Sequence, residues 1–187
     1  MSGWEIVAVV LLIAYLVLAI RQNILCWPAA IIGSSIYVAL MYQAGLYMES
    51  ALQFFYIGMA IYGWFCWQRG QGQSKGHQLP VSSWPLAFHI LPLVAIAVLT
   101  MGSGYLLTGY TNAALPYLDS FTTWGAIITT WMVARKVLQN WHYWFVIDSV
   151  SVYLYASRGL VLTALLFCFY LLLIILGYRA WRKSMSA

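Results

Sequence analysis

QNWHYWFVIDSVSVYLYASRGL, Gln139 to Leu160, sets a carboxylate, Asp148, deep inside an otherwise apolar run. If the run is helical, Asn140, Trp144, Asp148, Ser151 and Tyr155 recur at increments of four, four, three and four residues and share an arc of roughly 80°. One face then carries an amide, an indole, a carboxylate, a hydroxyl and a phenol. A helix that only had to sit in lipid would have no use for such a face, because polar groups in hydrocarbon are costly and face a cavity or a partner.

Composition sets the solvent around that helix. The 187 residues are 64% hydrophobic, 17% aromatic and 7% charged, against roughly 25% charged in a soluble domain. The chain therefore reads as an all-α integral membrane protein. Its net charge of +5 does not indicate nucleic acid, because the basic residues fall in short loops, where they report topology. Cys26, Cys66 and Cys168 lie in separate apolar runs with neither C-x-x-C nor His-paired spacing, so no disulfide framework, metal site or cofactor is expected. The first apolar run lacks a basic n-region and an A-x-A-like site, which favours a retained helix over a cleaved signal.

In chain order the apolar spans are Ile6–Ile20, Ile24–Tyr42, Ser50–Trp67, Trp84 to about Leu107, Ser120–Ala134, Trp141–Ala156 and Gly159–Tyr178. The polar stretch Gln68–Ser83, rich in Gly, Gln and Ser, divides them. With the amino terminus outside, Arg21, Arg69, Lys75, Arg135, Lys136, Arg179, Arg182 and Lys183 fall inside and Arg158 alone outside, in keeping with the positive-inside rule. Glu5, Glu49 and Asp119 then lie outside, leaving Asp148 as the acidic residue within a span.

The two ends of the chain resemble each other. Gln22, Asn23 and Trp27 match Gln139, Asn140 and Trp144 at one offset, and after a slip of three residues Gly45, Leu46, Tyr56, Gly63 and Trp67 match Gly159, Leu160, Tyr170, Gly177 and Trp181. Two three-helix units separated by one helix share an orientation, so the repeat is parallel, and such repeats place substrates near the midplane. The expected layout is repeat one at residues 3–67, a loop and linker helix at 68–112, and repeat two at 113–181. On the second span Asn23, Trp27 and Ser34 would occupy the arc of Asn140, Trp144 and Ser151, with Ile31 in the place of Asp148. On the third, Gln53, Tyr56, Ile57, Trp64 and Trp67 fall within about 100°; the seventh offers Phe167, Tyr170, Tyr178 and Trp181 in their place.

Indole and phenol rings attract a cation through their quadrupole, and Asp148 can balance a positive charge that stays buried. The expected ligand is a flat organic cation, with Asn140, Asn23, Gln53 and Ser151 fixing its hydroxyl or amine groups.

Asn140, Trp141 and Trp144 as N-W-x-x-W, followed by Asp148, Leu154, Tyr155, Gly159, Leu160, Thr163 and Ala164, with Tyr62, Gly63, Trp64 and Trp67 as Y-G-W-x-x-W, closely resemble the PnuC family of bacterial vitamin transporters. That resemblance spans essentially all seven helices. It implies a SWEET-like arrangement of three, one and three helices, a homotrimer in the bacterial inner membrane, and facilitated diffusion of nicotinamide riboside, trapped by a cytosolic kinase that phosphorylates it. Two positions depart from the family pattern: Gln139, where a glutamate is expected before the N-W pair, and Arg158, where a lysine is expected before Gly-Leu. Thiamine, another flat cation carried by members of the family, is the alternative substrate.

Plainer readings stand beside these. Asp148 could pair with Arg135, Lys136 or a backbone donor as a structural residue. Trp4, Trp84 and Trp181 fit an interfacial aromatic belt, and Trp64 and Trp67 lie near that boundary. The glycines fit close helix packing. His77, His89 and His142 have no partner at ligand spacing. A membrane enzyme would need a nucleophile, a metal cluster or a phosphate loop, and the chain has no H-E-x-x-H, G-x-S-x-G or Walker sequence. No catalytic residue is therefore expected.

Overall fold

The computed structural model describes residues 3–43, 47–69, 79–110, 115–157 and 161–185. It is all-helical over them. Seven helices run in order: α1 Gly3–Ile20, α2 Cys26–Gln43, α3 Tyr47–Arg69, α4 Leu86–Tyr110, α5 Pro116–Ala134, α6 Asn140–Ser157 and α7 Val161–Met185. By length and composition, two stretches, Leu86–Tyr110 and Ala164–Met185, are long and apolar enough to cross a membrane, and Ile6–Ile20 and Cys26–Leu40 are shorter apolar helices. The remaining helices carry the polar residues that interest us.

Each expected span is a helix, with shifted ends. α5 starts at Pro116 instead of Ser120, since proline suits a first helical position, where its missing N–H costs nothing. Asp119 then falls in its first turn, and Glu5 and Glu49 fall near the starts of α1 and α3. The acidic Asp119 there meets the positive end of the helix dipole.

Six of the helices pair at a single spacing. α2 and α6 begin at Cys26 and Asn140 and end at Gln43 and Ser157, 114 residues apart at both ends. α1 and α5 end at Ile20 and Ala134, and α3 and α7 begin at Tyr47 and Val161, again 114 apart. The turns agree. Among the described residues Gln22 (φ 54°) and Lys136 (φ 49°) are the non-glycine residues with positive φ, and each sits in the left-handed position that closes a helix. The next residue donates back in the same way: Asn23 N–H to the Leu18 carbonyl at 2.9 Å, Val137 N–H to the Met132 carbonyl at 3.0 Å.

This corrects the slipped alignment. The equivalent of Trp27 is Trp141, of Gln22 Lys136, of Asn23 Val137, and Asp148 answers to Ser34 where the sequence comparison gave Ile31. Packing shows why the equivalence holds. A Cβ on Gly63 would lie 2.4 Å from the Trp27 ring, and a Cβ on Gly177 would lie 2.4 Å from the Trp141 ring. In both places a tryptophan early in one helix lies against a glycine of another, α2 on α3 and α6 on α7.

The chain divides into two compact units. The first holds α1 to α3 with residues 134–136 and 180–187; the second holds residues 82–133 and 137–179. In the first, α2 packs on both α1 and α3, and Gly33 of α2 sits close to Leu11 and Leu12 of α1. In the second, the same contact has its sizes exchanged: Gly125 of α5 admits Ile147 of α6, whose Cγ1 would lie 2.9 Å from an added Cβ. Leu11 and Gly125 are equivalent positions, as are Gly33 and Ile147. α4 packs in the second unit: Trp124 Nε1 donates to Ser103 Oγ at 3.1 Å, Gly104 faces the Tyr117 ring, and His89 Nδ1 lies 3.0 Å from the Tyr143 hydroxyl.

Candidate functional site

α6 turns its polar arc inward. Asn140, Asp148 and Ser151 are 0%, 5% and 3% exposed, Trp144 and Tyr155 are half-buried, and between its ends the helix exposes Phe145, Val146 and Tyr153. This reverses the pattern of a helix in water, as expected of a helix whose outer face meets lipid. Ser151 Oγ donates to the Ile147 carbonyl at 2.9 Å, a bond that satisfies the hydroxyl within its own helix and leaves its lone pairs to accept. Tyr155 stacks on Phe167 of α7, ring centroids 5.2 Å apart.

The carboxylate differs from its neighbours. Among the described residues no hydrogen bond or ion pair involves Asp148. Arg135 is exposed and donates to the Tyr62 hydroxyl at 3.5 Å, while Lys136 is bonded elsewhere. The structural pairing of Asp148 with either of them is therefore absent. A buried carboxylate without a cation or donors is expensive. It invites a positive ligand.

Other expected residues serve packing or turns. Trp27 is 1% exposed and meets Tyr15, Gly63 and Trp67, its ring centroid 5.2 Å from that of Trp67. Trp141, 2% exposed, lies on Gly177. Asn23 is exposed in the turn before α2, where its Oδ1 accepts the Leu25 N–H at 2.9 Å. Asn140 donates its Nδ2 to the Val137 carbonyl at 2.6 Å, and its buried Oδ1 meets no donor among the described residues. On α2, Ser34 is 3% exposed; on α3, Gln53, Tyr56 and Trp64 are half-buried. Trp181 does not join an interfacial belt, being 0% exposed with its Nε1 donating to the Ala19 carbonyl at 3.0 Å. Trp67 is likewise interior, at 2%. Gly45, Arg158, Gly159, Lys75 and His77 lie outside the described residues.

Two features went unread in the sequence. Lys136, expected in a solvated loop, is 0% exposed, and burial pushes its ammonium down to about 8. Its Nζ sits 4.4 Å from the centroid of the Trp67 ring and donates to Gln22 Oε1 at 3.1 Å. Gln139 is the other. Its Nε2 donates to Ser83 Oγ at 2.7 Å and to the Trp84 carbonyl at 3.0 Å, while its Oε1 accepts the Trp84 N–H at 3.1 Å. Beside it the Leu138 N–H donates to the Ser82 carbonyl at 2.8 Å. The segment before α4 is thus clamped to the turn before α6. A glutamate at 139 could accept but not donate, which gives the departure from the family pattern a physical reason.

These features sit in a chain whose residues 2–183 match the family model described as "Nicotinamide mononucleotide transporter". The chain belongs to this family. Among curated relatives of this family member are the riboflavin/roseoflavin transporter RibM of Streptomyces davaonensis, 25% identical over 167 residues that cover 89% of this chain and 78% of that one. The nicotinamide riboside transporter PnuC of Escherichia coli is 24% identical over 195 residues, covering 89% and 80% respectively. A crystal structure of the vitamin B3 transporter PnuC shares the fold at a TM-score of 0.76, with 22% identity, covering 99% of this chain and 83% of that one. Its relatives are transporters and not enzymes.

Proposed function

We propose that this transporter takes up a small cationic vitamin, nicotinamide riboside, by facilitated diffusion across the bacterial inner membrane, with cytosolic phosphorylation as the trap. The observation that carries the reading is Asp148: a carboxylate 5% exposed, on the inward arc of α6, with no partner among the described residues. A pyridinium ring supplies the missing charge and a flat face for Trp144 and Tyr155. The ribose hydroxyls suit Ser151 and Asn140.

The names of the relatives frame the choice. Riboflavin, carried by one of them, is neutral and leaves Asp148 uncompensated. The mononucleotide adds a phosphate, and α6 carries no lysine or arginine to meet it. Thiamine satisfies the charge and is the alternative. The same reading takes the helices as two parallel repeats around α4 as linker, in a homotrimer with the amino terminus outside and the carboxyl terminus in the cytoplasm.

Calorimetry of the purified protein against nicotinamide riboside, thiamine, riboflavin and nicotinamide mononucleotide tests the substrate. Heat is expected from the riboside, and its loss on Asp148→Asn. Tight thiamine or riboflavin binding with silence toward the riboside would overturn the assignment. In vesicles without a kinase, uptake should be indifferent to a protonophore; collapse would exclude a uniporter.

A further inference from the structure

Exposed cations gather at one end of the first unit. Gln22 donates to Ser184 Oγ at 2.7 Å and accepts from Lys136 Nζ at 3.1 Å, which ties together the turn after α1, the turn after α5 and the last turn of α7. Beside each of these three residues stands an exposed cation: Arg21, Arg135 and Lys183. Arg21 and Arg135 are equivalent positions of the repeat. The acidic residues of the first unit, Glu5 and Glu49, lie near the starts of α1 and α3, more than about 20 Å away along those helices. Neither of them answers this charge.

Arg135 is set against an apolar surface. Its Nη1 donates to the Tyr62 hydroxyl at 3.5 Å, and Tyr62 shares an arc of about 100° on α3 with Phe54, Ile61 and Phe65, all of them exposed. Gly58 falls within the same arc, and a Cβ there would meet nothing within 4 Å, so the face carries a shallow notch between its larger side chains. An outward apolar stripe that ends in a tyrosine and an arginine is what a helix shows where hydrocarbon gives way to headgroups.

The pair has the chemistry of a phosphate site. The Tyr62 oxygen accepts from the guanidinium, so its own proton is left to donate, and a guanidinium meets phosphate with parallel N–H groups. Choline or ethanolamine on that phosphate would bring a cation toward Arg21 and Lys183; glycerol brings none. A soluble phosphate would gain nothing from the apolar stripe below. The counterpart of Tyr62 in the second repeat is Leu176, which has no donor, so the repeat supplies the arginine twice and the hydroxyl once.

We infer that Arg135 and Tyr62 hold the phosphate of an anionic phospholipid whose acyl chains lie along the exposed face of α3. Native mass spectrometry of the full-length protein in detergent, titrated with phosphatidylglycerol, reads occupancy by the first lipid. Phosphatidylcholine offers the same phosphate without net charge, and glycerol 3-phosphate offers the headgroup without chains. Phosphatidylglycerol should bind at least about tenfold tighter than phosphatidylcholine, since each basic residue near the surface favours an anionic lipid by a factor of about five. Arg135→Gln should weaken it about tenfold, and Tyr62→Phe, which changes no charge, about fivefold. Should Arg135→Gln not fold, Arg135→Lys keeps the charge and loses the paired N–H groups; weaker binding is again expected, and an unchanged titration counts against the site. A surface that only attracts anions would respond equally to Arg135→Gln and Lys183→Gln and ignore Tyr62→Phe, and that result overturns the proposal. Displacement of the lipid by glycerol 3-phosphate at equal concentration would make a soluble phosphate the occupant and overturn the lipid assignment.

Discussion

Replacing Gly63 or Gly177 with alanine places a methyl carbon 2.4 Å from the ring of Trp27 or Trp141, about 1 Å inside ordinary contact distance. Neither ring can retreat cheaply. Trp27 is backed by Tyr15 and Trp67, and Trp141 is 2% exposed. Overpacking of this kind costs about 1–3 kcal/mol, against which alanine recovers about 1 kcal/mol of helix propensity. Gly58 and Gly102 supply the controls, because a Cβ at either meets nothing within 4 Å; there only the propensity gain remains. The expected gap between the two classes is about 2 kcal/mol, which at about 2–4 °C per kcal/mol for a chain of this size is roughly 4–8 °C in melting temperature. Thermal unfolding in detergent, followed by retention of the monodisperse peak, reads it directly. If Gly63→Ala and Gly177→Ala melt with Gly58→Ala and Gly102→Ala, the Trp-on-Gly contact does not bear on stability. If only one of the pair falls, the equivalence of positions 114 apart fails at its best-defined contact.

Gln139→Glu removes the bond donated to the Trp84 carbonyl and sets a carboxylate oxygen against it, while the Ser83 hydroxyl can turn to donate, so it should cost about 2 kcal/mol, or roughly 4–8 °C in melting temperature, with Gln139→Ala costing no more; an unchanged melt would show the clamp to be idle. Lys136 has a folded pKa of about 8 against 10.5 for the free group, so between those values the unfolded chain holds a proton that the folded chain does not, and stability from this group rises with pH across that window and is flat below it. The difference in melting temperature between Lys136→Met and wild type should therefore shrink from pH 8 to 10.5, and parallel curves would contradict a buried, reluctantly charged lysine. Asp148→Asn should abolish cation binding while leaving the melt near or above that of the wild type, because it removes an uncompensated buried charge; a large destabilisation would assign Asp148 to the scaffold.

Seven helices were legible because a lipid-facing surface writes itself as unbroken apolar sequence, and the inward arc of α6 because polar side chains at helical spacing have few other uses in such a run. The register of the repeat was harder. Asn-x-x-x-Trp occurs at Asn23 and at Asn140, and the second copy contains two tryptophans, Trp141 and Trp144; identity alone cannot choose between them. Depth in the packing can, since Trp27 and Trp141 both lie on glycines and Trp144 does not. Lys136 was missed for a different reason. Its burial depends on a left-handed backbone position and on a ring 69 residues away in sequence, Trp67, and nothing local distinguishes a lysine in a turn from one beneath an indole. Gln139 did carry a signal, in its departure from glutamate, but its meaning needed the backbone of Trp84 beside it.

Leu11 opposite Gly33, and Gly125 opposite Ile147, put the large residue on opposite sides of matching contacts. Converting one arrangement into the other a residue at a time passes either through two large residues, which force the helices apart, or through two glycines, which leave only a void. A chimaera that exchanges α2 for the matching residues of α6 without also exchanging α1 for those of α5 recreates the crowded combination, so these helices are inherited in twos.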